Sequence, residues 1–257
     1  LQNNTFFGDL LRRHIIVLNR ATSTNDYLKQ LLANFTPLPE YTAIMAKAQT
    51  EGRGQRGTKW LSLPQQNLTV SFYLKPHDLP LSKQFFLTVI GSLAVRDTLK
   101  RYTDRTVWIK WPNDIYIDDK KISGLLFENR ISGRRMAHAI LGVGVNILQT
   151  DFPPEFAQKT TSLKLLTSRG DFAFIEIIQQ IQGYLSYYNE LLRDGHHDRL
   201  LEAYNSNLYQ KGQLKTYKAA GQIFEGEILD VEEDGLLPIF QNGIIKKYDL
   251  KDVHYQL

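Results

Sequence analysis

The spacing of apolar residues divides the chain into alternating helical and extended stretches. Thr22-Ser23-Thr24-Asn25 precedes Tyr27, Leu28, Leu31 and Leu32, which predicts an N-capped amphipathic helix. It should end near Asn34, ahead of the breakers Pro37 and Pro39. Tyr41–Ala48 is β-rich and leads into a Gly/Arg loop at Gly52–Gly57. Leu68–Leu74 alternates as a strand does and stops at Lys75-Pro76. Ser82 is placed to cap a helix carrying Phe85, Phe86, Val89, Ile90 and Leu93 on one face. Val107–Trp111, Ile115–Ile117 and Ile122–Glu128 read as strands, the last two joined through an Asp118-Asp119 hairpin turn. Ala137–Asn146 is a further strand with Gly142 and Gly144 inside it. The longest helical period runs over Asp171–Arg193, with Gly195 as its stop, and a shorter helix is expected over Asp198–Tyr209.

The texture then changes. Gln213–Ala219, Gln222–Leu229, Leu236–Phe240 and Ile244–Tyr248 are short strands separated by Ala220-Gly221, Asp234-Gly235 and Asn242-Gly243. Such a tail suits a small SH3-like barrel. The expected division is 1–211 and 212–257, at Lys211-Gly212. The expected fold class is α+β, a mixed and largely antiparallel sheet covered by helices, followed by the barrel.

Composition narrows the chemistry. With 42% hydrophobic and 23% charged residues over 257 positions, the chain can bury a core unaided. It has no cysteine, which removes disulfides, thiolate metal sites and cysteine nucleophiles and fits a reducing cytoplasm. No apolar run reaches the roughly 20 residues of a membrane span, and Leu1–Asp9 lacks the order of a secretory signal. The net charge of +4 is too mild to single out a partner. The six histidines show no metal-ligand spacing, and there is no Gly-x-Ser-x-Gly elbow.

Four segments remain as candidate chemistry. In Gly52-Arg53-Gly54-Gln55-Arg56-Gly57-Thr58-Lys59-Trp60, glycines free the backbone to curl around an anion and three cations supply charge. A solvated basic hairpin tip has the same look. Lys110-Trp111-Pro112-Asn113-Asp114 sets a carboxamide beside a carboxylate, suited to an adenine edge and Mg²⁺, or to an ordinary turn. Lys120-Lys121 is either a solvated hairpin end or, with Lys121 turned inward, a counter-charge for a phosphate or carboxylate. Gly142-Val143-Gly144-Val145-Asn146 allows a ligand, or merely another backbone, to approach a strand closely.

In this order, Ser23-Thr24-Asn25, Gln49, GRGQRGTKW, KWPND, KKISG and GVGVN resemble the catalytic domain of the biotin–protein ligases, from about Asn19 to Asn146. The resemblance implies a class II synthetase-like domain with an SH3-like appendage. It implies that Ser23, Thr24, Asn25, Gln49, Gly52, Arg53 and Gly54 bind biotin. Gln55, Arg56, Trp60, Asn113, Lys121, Gly142, Gly144 and Asn146 are then the nucleotide side. Lys121, Arg53 and Asp114 are the implied catalytic set, with Asp114 placing Mg²⁺ or the incoming lysine. The implied cofactors are ATP and Mg²⁺, with biotin as substrate and no tightly bound prosthetic group. The implied partner is the biotin carboxyl carrier domain of biotin-dependent carboxylases, the enzyme being a monomer or homodimer. Gln55 stands where many relatives carry arginine, so one phosphate contact is missing or falls to Arg56. About 20 residues precede Ser23, too few for the helix-turn-helix module of the repressor relatives, so no DNA binding is expected. A lipoate–protein ligase, a non-catalytic sensor and an RNA-binding module are the rival readings. The Gly/Arg loop with KWPND, the Lys121–Asp114 chemistry and the modest charge argue against each in turn.

Overall fold

The computed structural model describes residues 14–34, 38–76, 79–132, 135–167, 169–250 and 252–256. The N-terminal stretch, Pro37 and His77 lie outside these described residues. The first half contains β1 (Ile15–Leu18), α1 (Thr24–Asn34), β2 (Ala43–Ala46), β3 (Asn67–Leu74) and α2 (Phe85–Lys100). Then come β4 (Val107–Lys110), β5 (Asp114–Ile117), β6 (Lys120–Ser132) and β7 (Arg135–Asn146). Two single-turn helices, α3 (Pro154–Ala157) and α4 (Leu163–Leu166), lead to α5 (Phe174–Arg193) and α6 (His197–Asn205). The tail holds β8 (Leu214–Ala219), β9 (Gln222–Ile228), β10 (Leu237–Gln241), β11 (Ile244–Tyr248) and β12 (Val253–Tyr255).

Seven strands form one sheet in the order β1-β2-β3-β7-β6-β5-β4, and five form another in the order β11-β10-β9-β8-β12. In the large sheet only β1 with β2 runs parallel, so the α+β, largely antiparallel class holds. The five antiparallel tail strands are consistent with an SH3-like unit. Asp118-Asp119, Ala220-Gly221 and Asn242-Gly243 all take positive φ at both central positions, the two-residue turn that matches strand twist.

The register decides which face holds the chemistry. Ser71 lies opposite Gly142 and Thr69 opposite Gly144, while Gly124 faces both Gly144 and Asp114 across its neighbours. Residues directly opposite share a face. One face therefore carries a stripe of Thr69, Ser71, Gly142, Gly144, Gly124 and Asp114. The other face presents Val70, Phe72, Leu141 and Val143 to Phe86, Val89 and Ile90 of α2 and Ile177, Ile178 and Ile181 of α5. The stripe is covered in turn by α1, whose Leu28 and Leu32 pack on Ile44, Tyr73 and Ile140. Both faces being covered, all eight residues of β3 are buried.

Three expectations need correction. Ser82 caps no helix. It sits in a 3-10 turn over Leu81–Lys83, and α2 begins only at Phe85 with no side-chain cap. Hydrogen bonds from the amides of Lys83, Gln84 and Leu87 to the carbonyls of Pro80, Leu81 and Gln84 carry the chain straight into α2. The helix expected to reach Tyr209 ends at Asn205, because tertiary partners take its next residues. Asn205 exchanges side-chain hydrogen bonds with the backbone of Val231, and residues 207–209 pair with Ile109 of β4. Finally, β6 and β7 extend past their apolar stretches into charged sequence, where hairpin pairing continues without a hydrophobic signal.

The β4–β5 turn, which carries Asn113 and Asp114, is tied down from outside. The Tyr204 hydroxyl donates to the Pro112 carbonyl at 2.8 Å, and Trp111 Nε1 donates to the Gly235 carbonyl at 3.0 Å. The Trp111–Pro112 peptide is cis. Tyr204 is fully buried, so Tyr204→Phe leaves the Pro112 carbonyl without that donor. A loss of about 1–2 kcal/mol is expected, read as a fall of about 2–8 °C in the unfolding midpoint. An unchanged midpoint would mean the bond contributes nothing to holding the turn.

Candidate active site

A cavity of about 740 Å³ opens over the polar stripe. It is lined by Ser23, Thr24, Asn25, Gln49, Arg53, Gly54, Gln55, Trp60, Asn113, Asp114, Lys121, Gly142, Gly144 and Asn146. Four segments far apart in sequence thus converge on one space. Two expected residues stand apart. Gly52 is buried behind the wall, where an added Cβ would meet Gln49 Nε2 at 2.7 Å. The Arg56 side chain lies outside the described residues.

At one end, a chain of hydrogen bonds fixes the polarity of the wall. Asn25 Nδ2 donates to Glu128 Oε2 at 2.7 Å, and Lys29 Nζ holds Oε1 of the same carboxylate at 2.6 Å. A carboxylate only accepts, so Asn25 must turn its carbonyl the other way, to the Ser71 hydroxyl at 2.5 Å. Ser71 has one proton and spends it there. Thr24 Oγ1, 2.7 Å from Ser71 Oγ, is then the donor to it, rather than to Gln49 Oε1 at 3.3 Å. Gln49 Oε1 already accepts from the Thr24 amide at 2.9 Å. The cavity is left with lone pairs on Thr24 Oγ1 and amide hydrogens on Gln49 Nε2, a pairing suited to a neutral ligand with both N–H and C=O groups. Ser23 precedes α1 and accepts weakly from the Asp26 amide at 3.4 Å.

The Gly/Arg loop closes the adjoining side. Gly54 N donates to Thr58 O at 2.6 Å and Trp60 N to Gly52 O at 2.9 Å, so the segment is a tight hairpin whose base pairs Arg53 with Lys59. The Arg53 guanidinium is bound to Asp26 and lies 3.6 Å from Glu128. The Trp60 indole lies along β7, where a Cβ on Gly144 would come within 2.6 Å of its Cζ2. That glycine is therefore a space requirement of the indole. Trp60 Nε1 is buried and has no partner among the described residues.

At the far end, Lys121 Nζ lies 2.7 Å from Asp114 Oδ1 and 5.8 Å from the centre of the Trp60 ring. Lys121 does turn toward the cavity rather than out from the hairpin end. Asn113 Nδ2 donates to the Leu125 carbonyl and Asn146 Nδ2 to Thr161 O at 3.1 Å, so one amide hydrogen of each is committed to the backbone. Lys110, next along the turn, has its ammonium pKa lowered chiefly by burial, opposed by Asp114 and assisted by Lys121. Among the described residues no group of three or more His, Cys, Asp or Glu side chains could cage a metal. One carboxylate at Asp114 fits a Mg²⁺ that shares its coordination with substrate phosphates.

Sequence reasoning missed Ser71, Glu128 and the far wall of Gln149, Phe152, Phe156 and Thr160. Ser71 had a signal. Thr69, Ser71 and Tyr73 alternate with Val70, Phe72 and Leu74, a polar face on a strand. Glu128 had none, being 103 positions from the asparagine it orients.

Known proteins resemble this arrangement. The sequence profile described as "Biotin/lipoate A/B protein ligase family" matches residues 17–146. The bifunctional ligase/repressor BirA of Bacillus subtilis is 30% identical over 253 residues, covering 95% of this chain and 75% of that protein. The biotin–[acetyl-CoA-carboxylase] ligase of Mycobacterium tuberculosis is 29% identical over 154 residues, 59% of this chain and 55% of that one. Among solved structures, a biotin protein ligase from Aquifex aeolicus in complex with biotin and ATP superposes with a TM-score of 0.78. It is 25% identical and the match covers 95% of this chain and 99% of that one. By profile, by sequence and by fold, the chain belongs to the biotin/lipoate A/B protein ligase family.

Proposed function

We propose that this protein is an ATP-dependent biotin–protein ligase that forms biotinyl-5′-adenylate and transfers the biotinyl group to a lysine of a biotin carboxyl carrier domain. The observation that carries this reading is the convergence of Thr24, Gln49, Trp60, Asp114 and Lys121 on one cavity. In the first step a carboxylate oxygen of biotin bonds to the α-phosphorus while its bond to the β-phosphate oxygen breaks, releasing diphosphate. In the second, a lysine ε-amine attacks the acyl carbon and AMP leaves, giving an amide.

The Thr24–Gln49 end receives the ureido ring, with Asn25, Ser71 and Glu128 holding its donors and acceptors in place. Lys121 stabilises the negative charge that gathers between the carboxylate and the α-phosphate, as a preorganised cation in a partly dry site does. Asp114 positions Lys121 and would be the protein ligand for a Mg²⁺ brought by ATP, which would supply further charge neutralisation. Trp60, Asn113 and Asn146 border the adenine. Arg53 exchanges Asp26 for the ligand, and the loop that closes the adjoining side keeps water from the mixed anhydride. Residues 1–211 constitute the catalytic unit and 212–257 the appended barrel.

The acid selected is tested with ATP, Mg²⁺ and either biotin or lipoate, without any acceptor, by following the release of diphosphate and the adenylate by mass. Biotin is expected to give biotinyl-5′-adenylate in about one equivalent per enzyme. Lipoyl-adenylate instead would keep the reaction and overturn the assignment of the Thr24–Gln49 wall. No helix among the described residues is long and apolar enough to cross a membrane.

A further inference from the structure

Glu128 lies just outside the cavity and lines no part of it. On β6 it stands opposite Ile140, while Leu126 stands opposite Gly142, so its side chain continues the face that carries the polar stripe. Both carboxylate oxygens are engaged. Oε2 accepts from Asn25 Nδ2 at 2.7 Å and Oε1 from Lys29 Nζ at 2.6 Å, with the Arg53 guanidinium 3.6 Å from Oε1.

A relay of amides and hydroxyls has two possible directions. Asn25 can offer Ser71 either its carbonyl or its amide, and the Ser71 and Thr24 hydroxyls can each turn. Asn25 is 4% exposed and Ser71 fully buried, so water does not repair a wrong choice at either residue. In the reversed relay Asn25 would donate to Ser71 and Ser71 to Thr24. The Thr24 proton would then turn to the ligand or to Gln49 Oε1, 3.3 Å away. Reversal needs a donor at position 128, and a carboxylate has no proton to give. A carboxamide there would have one.

We propose that Glu128 is a specificity-determining residue which, acting through Asn25 and Ser71, obliges Thr24 to face the ligand with lone pairs alone. The assignment rests on the biotin-binding wall proposed above and makes Glu128 a positioning residue that never touches the substrate. The pocket then selects a ring N–H at Thr24. A cyclic urea supplies one. A cyclic carbamate of nearly the same shape sets its ring oxygen against those lone pairs and is rejected.

The test titrates biotin, and the two carbamate analogues in which oxygen replaces one or the other ureido N–H, into the protein by calorimetry. Wild type is expected to bind biotin roughly 100-fold or more tightly than the analogue whose oxygen meets Thr24. Glu128→Gln should weaken biotin by about tenfold and narrow the gap to that analogue by at least about tenfold. Asn25→Asp alone sets two carboxylates 2.7 Å apart and should also weaken biotin. Asn25→Asp combined with Glu128→Gln restores the direction, because the new carboxylate accepts from both Ser71 and the new carboxamide. This double variant should recover the wild-type preference to within about threefold. Ser71→Ala cuts the relay and should lose the preference, with no further loss when Glu128→Gln is added.

If Glu128 merely braces β6 against α1, Glu128→Gln weakens biotin and both analogues by the same factor and the double variant recovers nothing. Either result overturns the proposal. Should Glu128→Gln fail to fold, Ser71→Ala decides, since an unchanged preference there overturns it as well. Wild type binding all three compounds alike also overturns it, whereas failure of wild type to bind biotin at all would count against the functional reading instead.

Discussion

Replacing Lys121 with alanine is expected to slow adenylate formation by about 100- to 1,000-fold, with a much smaller change in the affinity for biotin. The size follows from where the ammonium sits. It lies on the cavity wall, 2.7 Å from Asp114 and beside the Trp60 ring, about one-third exposed. Charge that develops there is screened less than at an open surface, and the cation needs no reorganisation to meet it. The substitution acts twice, because it also leaves the Asp114 carboxylate without its counter-charge next to an incoming triphosphate. Lys121→Arg keeps the charge but changes its shape. Its charge is spread over a planar fork instead of one point, so the guanidinium should restore only part of the rate. Single-turnover formation of the adenylate, with ATP saturating, is the measurement. A rate unchanged in Lys121→Ala would remove this residue from the mechanism.

Gly142→Ala is expected to weaken biotin binding by about 10- to 100-fold, because overpacking of this kind costs about 1–3 kcal/mol. An added Cβ would lie 2.5 Å from Asn25 Oδ1 and 3.1 Å from its Cγ and Nδ2. Asn25 cannot step aside freely. Its carbonyl is held by Ser71 at 2.5 Å and its amide by Glu128 at 2.7 Å, so any shift breaks one of the two. Either break disturbs Thr24 and, through it, the donors and acceptors offered to the ligand. The control is Gly183→Ala in the middle of α5, where an added Cβ meets nothing within 4 Å. That change should raise stability by up to about 1 kcal/mol and leave binding alone. Binding of biotin to each variant by calorimetry decides the point. Affinity at the wild-type level in Gly142→Ala would show that the Asn25–Ser71–Glu128 chain does not set the pocket.

The elements that could be read from sequence are those encoded locally. The α1 period after Ser23, the positive-φ pairs at Asp118-Asp119 and Asn242-Gly243, and the helix stop at Gly195 all depend on a few adjacent residues. The order of the Gly/Arg loop, KWPND and GVGVN could be read for a similar reason, since each is a contiguous segment. What the sequence hid depends on register and distance. β1 is four residues long and β12 three, too short to show a period. The polar face of β3 resembles that of a half-exposed strand until α1 is seen to pack over part of it. Glu128 and Asn25 meet only because the hairpin of β6 and β7 carries the carboxylate back under α1. Ser82 misled because it satisfies a capping rule that Pro80 and its 3-10 turn made unnecessary.

The most direct test of the ligase activity is the mass of a biotin carboxyl carrier domain after incubation with the protein, ATP, Mg²⁺ and biotin. The expected result is an ATP-dependent gain equal to one biotinyl group, on a single lysine, abolished when that lysine is replaced by arginine. A carrier domain whose mass does not change, with the enzyme folded and the same domain modified by a known ligase, would contradict it.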